Sequence, residues 1–341
     1  MRKTVYIFSF IIAFGLCALA PHSSALAQQK QTPAPQRTPP PPPAREEQDA
    51  ERVTTTIREV RLPIIVLDKK GQPVSGLSAS NFQVFEDKQP QAITSFIDER
   101  ESPPIYVGVL MDTSPSTAGK LKFEQESAKD FIYTVTRERK DRVAFMTFDD
   151  EINLRQDFTE KLDLLERAVE NVKKPGKQTA LYDAIWQFCD EKMRNVPGRR
   201  VLVVITDGDD TYSRARLRDA IEMAQRTETT IFAISTKAGF SGTVPGVEAG
   251  QVSDSGDRDL QKLAEETGGT AFFTGDQLAL ERSFTKIAKE MRSQYIVTYK
   301  PANDRYDGST RRIEVKLVNA PNNLKVKTRR GYTAVSDSVK R

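Results

Sequence analysis

Histidine, cysteine and tryptophan are nearly missing from this chain of 341 residues, which holds one His, two Cys and one Trp. The single histidine, His22, lies in a segment with the form of an export leader. Arg2 and Lys3 precede an apolar run from Val5 to Ala20, and Ala25-Leu26-Ala27 supplies the small residues after which signal peptidase cuts. Residues 1–27 are expected to be removed, leaving a mature chain that starts at Gln28 and is secreted, periplasmic or held at the cell surface. Without histidine, a Ser-His-Asp or Cys-His mechanism cannot operate, and the usual His/Cys zinc site cannot be built. Cys17 leaves with the leader, so Cys189 has no partner for an internal disulfide. Its setting at helical spacing among Leu181, Ala184, Ile185 and Phe188 reads as a buried thiol.

Long apolar runs and one-sided charge are lacking too. After Ala20 no stretch is long and apolar enough for a membrane-spanning helix. Bases and acids number 51 and 47, and two of the bases go with the leader, so nothing points to a nucleic-acid partner.

The rest of the chain divides by pattern. Residues 28–50 carry five consecutive prolines, Pro39 to Pro43, and no apolar period, the composition of an extended spacer. Residues 51–104 read as strands and turns: "IREVRLPIIVLD" is rich in β-formers, "KKGQPVSGL" holds turn chemistry, and "NFQVFEDKQPQAITSFIDE" alternates apolar with polar. Residues 293–334 have the same character in "SQYIVTYKP", "TRRIEVKLV" and "LKVKTRRGY", before a tail at 335–341. Neither flank can bury a core alone, so the two are expected to pair into one β-sandwich. The basic "KVKTRRGY" is expected to be an exposed strand face.

Between the flanks, residues 105–292 alternate strand and helix. Strands are expected at 105–111, 142–148, 200–206, 230–235 and 270–274, with helices near 121–138, 160–173, 180–195, 214–227, 259–267 and 278–292. "IYVGVLM" and "VLVVIT" are continuous apolar runs, as strands covered on both faces require. The expected fold is therefore α/β: a doubly wound, mostly parallel, Rossmann-like sheet flanked by helices and inserted into the sandwich. Residues 151–158 follow the preceding strand after a short turn and are expected to form an antiparallel edge.

In such a sheet the loops after the parallel strands share one face, where ligands bind. Three segments should meet there. Asp112-Thr113-Ser114-Pro115-Ser116 ends the first strand, Thr179 opens a helix after "GKQ", and Asp207 ends the buried strand "VVIT". Alternate residues of an extended loop point the same way, so Ser114 and Ser116 can present hydroxyls beside Asp112. Two carboxylates and three hydroxyls make an all-oxygen set suited to a hard divalent cation, Mg²⁺ first, with Mn²⁺ or Ca²⁺ as alternatives. Asp209 and Asp210 read as solvated loop acids, and Asp149, Asp150 and Glu151 as a polar turn.

A D-x-S-x-S sequence, a distant Thr and a later Asp after an apolar strand resemble the metal-ion-dependent adhesion site (MIDAS) of von Willebrand factor type A (VWA) domains. Here the five positions are Asp112, Ser114, Ser116, Thr179 and Asp207. The resemblance covers about residues 105–292. The flanks resemble those of the VWFA-related domain family described from Acidobacteria. Family resemblance implies that the serines and Thr179 ligate the ion directly, that the aspartates act partly through water, and that a partner's Asp or Glu carboxylate fills an open position. The expected function is a secreted, metal-dependent protein-binding or adhesion module and not an enzyme. Two alternatives stand beside it: a Mg²⁺-dependent phosphohydrolase, and an envelope component whose ion merely stabilises the fold. The phosphohydrolase wants a second carboxylate two residues after Asp112, where this chain has Ser114, and a lysine, Lys120 or Lys177. The loop at 237–258 follows a parallel strand and is expected to reach the same face and influence partner choice.

Overall fold

The computed structural model describes residues 59–335 except 99, 102, 117–120, 174, 237–253 and 274–276. The expected leader, the proline-rich spacer, most of the tail and most of the long loop lie outside the described residues. Those described belong to one compact unit, Thr55–Arg341.

The N-terminal flank supplies β1 (Val60–Leu67), β2 (Phe82–Glu86), β3 (Gln89–Gln91) and β4 (Ile93–Ile97). The middle then runs β5 (Ile105–Asp112), α1 (Leu121–Val135), β6 (Arg142–Phe148), β7 (Ile152–Thr159), α2 (Leu162–Glu170), α3 (Leu181–Phe188) and β8 (Arg199–Thr206). It continues with α4 (Leu217–Arg226), β9 (Thr229–Ser235), α5 (Ser255–Thr267), β10 (Ala271–Phe273) and α6 (Gln277–Arg292). The C-terminal flank adds β11 (Gln294–Tyr299), β12 (Thr310–Leu317), β13 (Lys325–Lys327) and β14 (Gly331–Thr333).

The two flanks do pair. One four-stranded sheet has the order β13-β1-β11-β4 and the other β14-β12-β2-β3, so each mixes strands from both ends of the chain. Val60, Leu62, Ile64 and Val66 of β1, Tyr295, Val297 and Tyr299 of β11, and Phe82, Val84 and Ile313 from the second sheet form one buried core. The apolar run at the end of β1 has a further reason. Its other face, Ile65 and Leu67, is buried in the core of the α/β part, so the strand is covered on both sides.

The six-stranded sheet has the order β10-β9-β8-β5-β6-β7, parallel except for β7 against β6. Alternation along β5 divides its side chains. Val107, Val109 and Met111 meet α1, α2 and α6, whereas Leu110 meets α3, α4 and α5. The chain leaves β5 toward β6 and later returns to its other side with β8, which makes the β5/β8 crevice the topological switch point.

Three expectations need correction. The helix expected from 259 begins at Ser255, because the Asp254 side chain accepts the Asp257 amide at 3.1 Å and caps it. The helix expected over 180–195 is α-helical only to Phe188 and continues as a π turn, Cys189–Met193. "KVKTRRGY" is a clasp rather than an exposed face. Lys327 pairs with the buried Glu290 of α6 at 3.4 Å, and Arg329, itself buried, donates to the carbonyls of Gln225 at 2.5 Å and Arg61 at 3.0 Å. Cys189 is fully buried as expected, and desolvation pushes its thiol up to about 12.

The clasp generates a test. Arg329→Ala removes a buried guanidinium that donates to the Gln225 and Arg61 carbonyls, and it should lower unfolding free energy by about 2–3 kcal/mol. Arg330→Ala, which removes more exposed pairs to Glu265 and Glu266, should cost under about 1 kcal/mol. Urea midpoints for the two variants check the order; an equal loss in both would contradict it.

Candidate functional site

β5 and β8 lie in parallel register with Met111 beside Ile205, and both are buried through their last turn of chain. Each then gives way to polar side chains: Asp112 at the end of β5, Thr206 at the end of β8 and Asp207 after it. Asp112 is fully buried. Its Oδ1 accepts the Ser114 amide at 2.8 Å and its Oδ2 accepts the Thr206 hydroxyl at 2.6 Å. Burial pushes its carboxyl up to about 6; the Thr206 and Ser114 hydrogen bonds pull it down, and the negative charge of Asp207 pushes it up further. Asp207 is buried as well, and its Oδ1 has no hydrogen-bond partner among the described residues. Asp112 and Asp207 lie close enough for their charges to repel, and among the described residues neither has an ion pair.

The hydroxyls stand next to these acids. Ser114 is buried, Ser116 is exposed, and their Oγ atoms lie 3.0 Å apart. Thr179 is buried in the loop before α3. Its expected role as the opening hydroxyl of that helix is not what the structure shows. Asp210 caps α3, taking the Leu181 amide at 2.8 Å, and the Ser213 hydroxyl takes that of Asp183 at 3.0 Å. Thr179 contributes backbone contacts: its amide donates to the Thr211 hydroxyl at 3.0 Å, and its carbonyl accepts the Thr211 and Tyr212 amides at 2.9 Å each. Its hydroxyl takes no part in that cap.

Two residues that hold the site together are missed by pattern reading. Thr206 is the first, since it bridges Asp112 and the Gly208 amide at 3.0 Å. Asp149 is the second. Read as part of a polar turn, it is buried at the end of β6 and accepts the Thr113 hydroxyl at 2.6 Å, while its carbonyl takes the Ala180 amide at 2.9 Å. Asp149 so ties the Asp112 loop to the Thr179 loop. Gly176 lies against it, and a Cβ at that position would fall 2.2 Å from the Asp149 carboxyl carbon. Its placement at the end of a strand adjacent to β5 is the sequence signal that could have found it. Asp210 is likewise a cap and not a solvated acid, whereas Asp209 is exposed as expected. Lys177, the lysine named for a phosphohydrolase, has its amide bound to Asp150; Lys120 lies outside the described residues.

A family model of the von Willebrand factor type A domain matches residues 107–289. The chain belongs to the VWA family. Among solved structures, this VWA domain resembles an aerotolerance-related membrane protein from Bacteroides fragilis, 17% identical with a TM-score of 0.44, over 55% of this chain and 98% of that one. It also resembles proximal thread matrix protein 1 from the mussel byssus, in a structure with a zinc-occupied MIDAS motif, at 15% identity and a TM-score of 0.44 over 60% and 49% of the two chains. A third likeness is to the vWF domain of the type V pili tip protein Mfa5 from Porphyromonas gingivalis, at 20% identity and a TM-score of 0.30 over 32% and 40%. No curated protein matches the chain. No helix among the described residues is long and apolar enough to cross a membrane.

The raised carboxyl of Asp112 in the VWA domain has a consequence for stability. The folded state keeps a proton that the unfolded chain releases near 3.8, so this group stabilises the fold fully below that pH and withdraws its contribution as pH rises through about 6. In metal-free buffer the wild type should lose about 3 kcal/mol relative to Asp112→Asn between those limits. Urea unfolding at a series of pH values in EDTA checks this, and parallel curves for the two proteins would contradict it.

Proposed function

We propose that Asp112, Ser114, Ser116, Thr179 and Asp207 hold a divalent cation, Mg²⁺ before Mn²⁺ or Ca²⁺, and that the protein is a secreted, metal-dependent binding module. One observation carries the reading: two buried carboxylates share the switch-point crevice, and one of their oxygens has no partner among the described residues. A cation supplies the missing positive charge, and an all-oxygen donor set with three neutral hydroxyls suits a hard ion. When bound, the ion would act as a Lewis acid able to accept an outside oxygen. The chain's part is to hold its own ligands in place. Thr206 and the Ser114 amide orient Asp112, and Asp149 fixes the Thr113 loop against the Thr179 loop. A partner protein presenting an Asp or Glu side chain supplies the remaining oxygen.

The same contacts favour binding over phosphoryl transfer. A nucleophilic aspartate needs an exposed, free oxygen. Asp112 is fully buried, both of its oxygens accept hydrogen bonds, and Ser114 stands where an acid is wanted. Reading residues 1–27 as an export leader followed by a proline-rich spacer supports a module that works outside the cytoplasm, and the pattern of the flanking strands supports membership of the narrower VWFA-related family described from Acidobacteria.

Calorimetry tests the assignment with metal alone. Mg²⁺ should bind weakly, at roughly 0.1–1 mM, and Ser114→Ala or Asp207→Ala should remove the binding. In EDTA, Asp207→Ala should be at least as stable as the wild type, because it relieves repulsion. Unchanged Mg²⁺ affinity in both variants would overturn the site, and Mg²⁺-dependent turnover of p-nitrophenyl phosphate would overturn the binding reading in favour of an enzyme.

A further inference from the structure

A cleft of about 740 Å³ lies between α4 and α5 on one side and β12 and β14 on the other. It is remote from Asp112 and Asp207 in the topology. α4 and α5 follow β8 and β9 and run back from the metal face, and Gln225, near the end of α4, already meets Arg329 of the clasp. The cleft therefore belongs to the junction between the VWA domain and the sandwich.

Its walls follow from element geometry. Arg218, Ile221, Glu222 and Gln225 recur at steps of three and four along α4, so one stripe of that helix forms a wall. Thr310, Arg312 and Glu314 alternate along β12 and share its outward face. Lys262 comes from α5, and Lys88 from the turn between β2 and β3.

The charges are unbalanced. Lys88, Arg218, Lys262 and Arg312 are exposed, and none has an ion pair or a side-chain hydrogen bond among the described residues. Of the acids, Glu266 is engaged by Arg330 at 3.4 Å and Glu314 by Lys316 at 3.4 Å, leaving Glu222. Like charges lining one cleft repel one another and focus a positive potential into it. An anionic ligand would relieve that repulsion.

The layout indicates which anion. The four bases come from α4, α5, β12 and the turn between β2 and β3, so the charge is distributed over every wall of the cleft and suits a ligand with charge repeated along it. Between them stand the hydroxyls of Thr310 and Thr333 and the Glu222 carboxylate, which can bond to sugar hydroxyls. Ile221 and Ile313, the apolar members, are nearly buried and offer little to an apolar side chain. We propose that this cleft binds a polyanionic saccharide, a chain of sugar rings bearing carboxylates, independently of any metal.

The test uses the full chain in EDTA at low salt, with oligogalacturonate as probe and binding followed by calorimetry. Binding should be present, weaken as salt is added, and persist in Ser114→Ala, which separates this site from the proposed metal site. The double variant Arg218→Glu/Arg312→Glu should lose roughly tenfold or more in affinity with its thermal transition unchanged. Should that variant fail to fold, Lys88→Glu/Lys262→Glu makes the same comparison. Absence of binding by the wild type, equal affinity in a folded charge-reversed variant, or tighter binding of polyglutamate of matched length would each overturn the proposal, the last by assigning the cleft to acidic polypeptides.

Discussion

The parallel register of β5 against β8 sets Met111 level with Ile205, and at that level two strands buried along their length both run out of apolar side chains. The next residues are Asp112 on one strand and Thr206-Asp207 on the other. A carboxylate at the end of a strand ordinarily turns to water. Here β5 is central, with β8 on one side and β6 on the other, so Asp112 inherits the burial of the strand that carries it. Neutral donors such as the Thr206 hydroxyl and the Ser114 amide reduce the cost of that burial without cancelling the charge. The negative field of the site thus follows from the same pairing that builds the sheet.

Holding that field in one place requires the surrounding loops to be fixed, and the structure does this with hydrogen bonds to their backbone amides and carbonyls. Asp149 is the hub on the β6 side, and Thr211 is the hub on the β8 side. Each grips the Thr179 loop from a different direction, through Ala180 and through Thr179 itself. Asp210 completes the arrangement by capping α3, which leaves the Thr179 hydroxyl out of the helix cap. Small changes in any of these groups are expected to move a ligand without touching it.

The parts of this architecture that were legible in the sequence are those governed by local periodicity. The apolar runs of β5 and β8, the alternation of β2 and the edge position of β7 all follow from side-chain pattern within one element. That the segments carrying Asp112, Thr179 and Asp207 come together was legible, because loops after parallel strands share one end of the sheet. Asp149 was passed over, since Asp-Asp-Glu after a strand reads as a solvated turn until the place of that strand beside β5 is weighed. Arg329 was misread for a related reason. Alternation predicts which side of a strand is polar, but not that another layer, here the ends of α4 and β1, lies against that side. The start of α5 carried a usable signal in Asp254, three residues before Asp257, that the irregular sequence before it obscured.

Insertion of a large α/β unit into a sandwich raises a geometric demand: the chain must leave and rejoin the sandwich at nearly the same place. Arg199 meets that demand at the foot of β8. Its amide donates to the Pro104 carbonyl at 2.9 Å and its Nε to that of Pro103 at 3.4 Å, where the chain enters the inserted unit. Its Nη1 donates to the Met291 carbonyl at 2.7 Å, where the chain leaves through α6. Gly198 permits the approach, because a Cβ there would lie 2.3 Å from the Pro104 carbonyl oxygen. Burial lowers the Arg199 pKa to about 10, so the group remains charged at neutral pH and its hydrogen bonds to the carbonyls keep their ionic strength. With β1 buried in both cores and Arg199 joining both crossing points, the two parts are coupled by more than their connecting chain. β8 is thus tied at its foot to both crossing points, while its other end runs directly into Asp207.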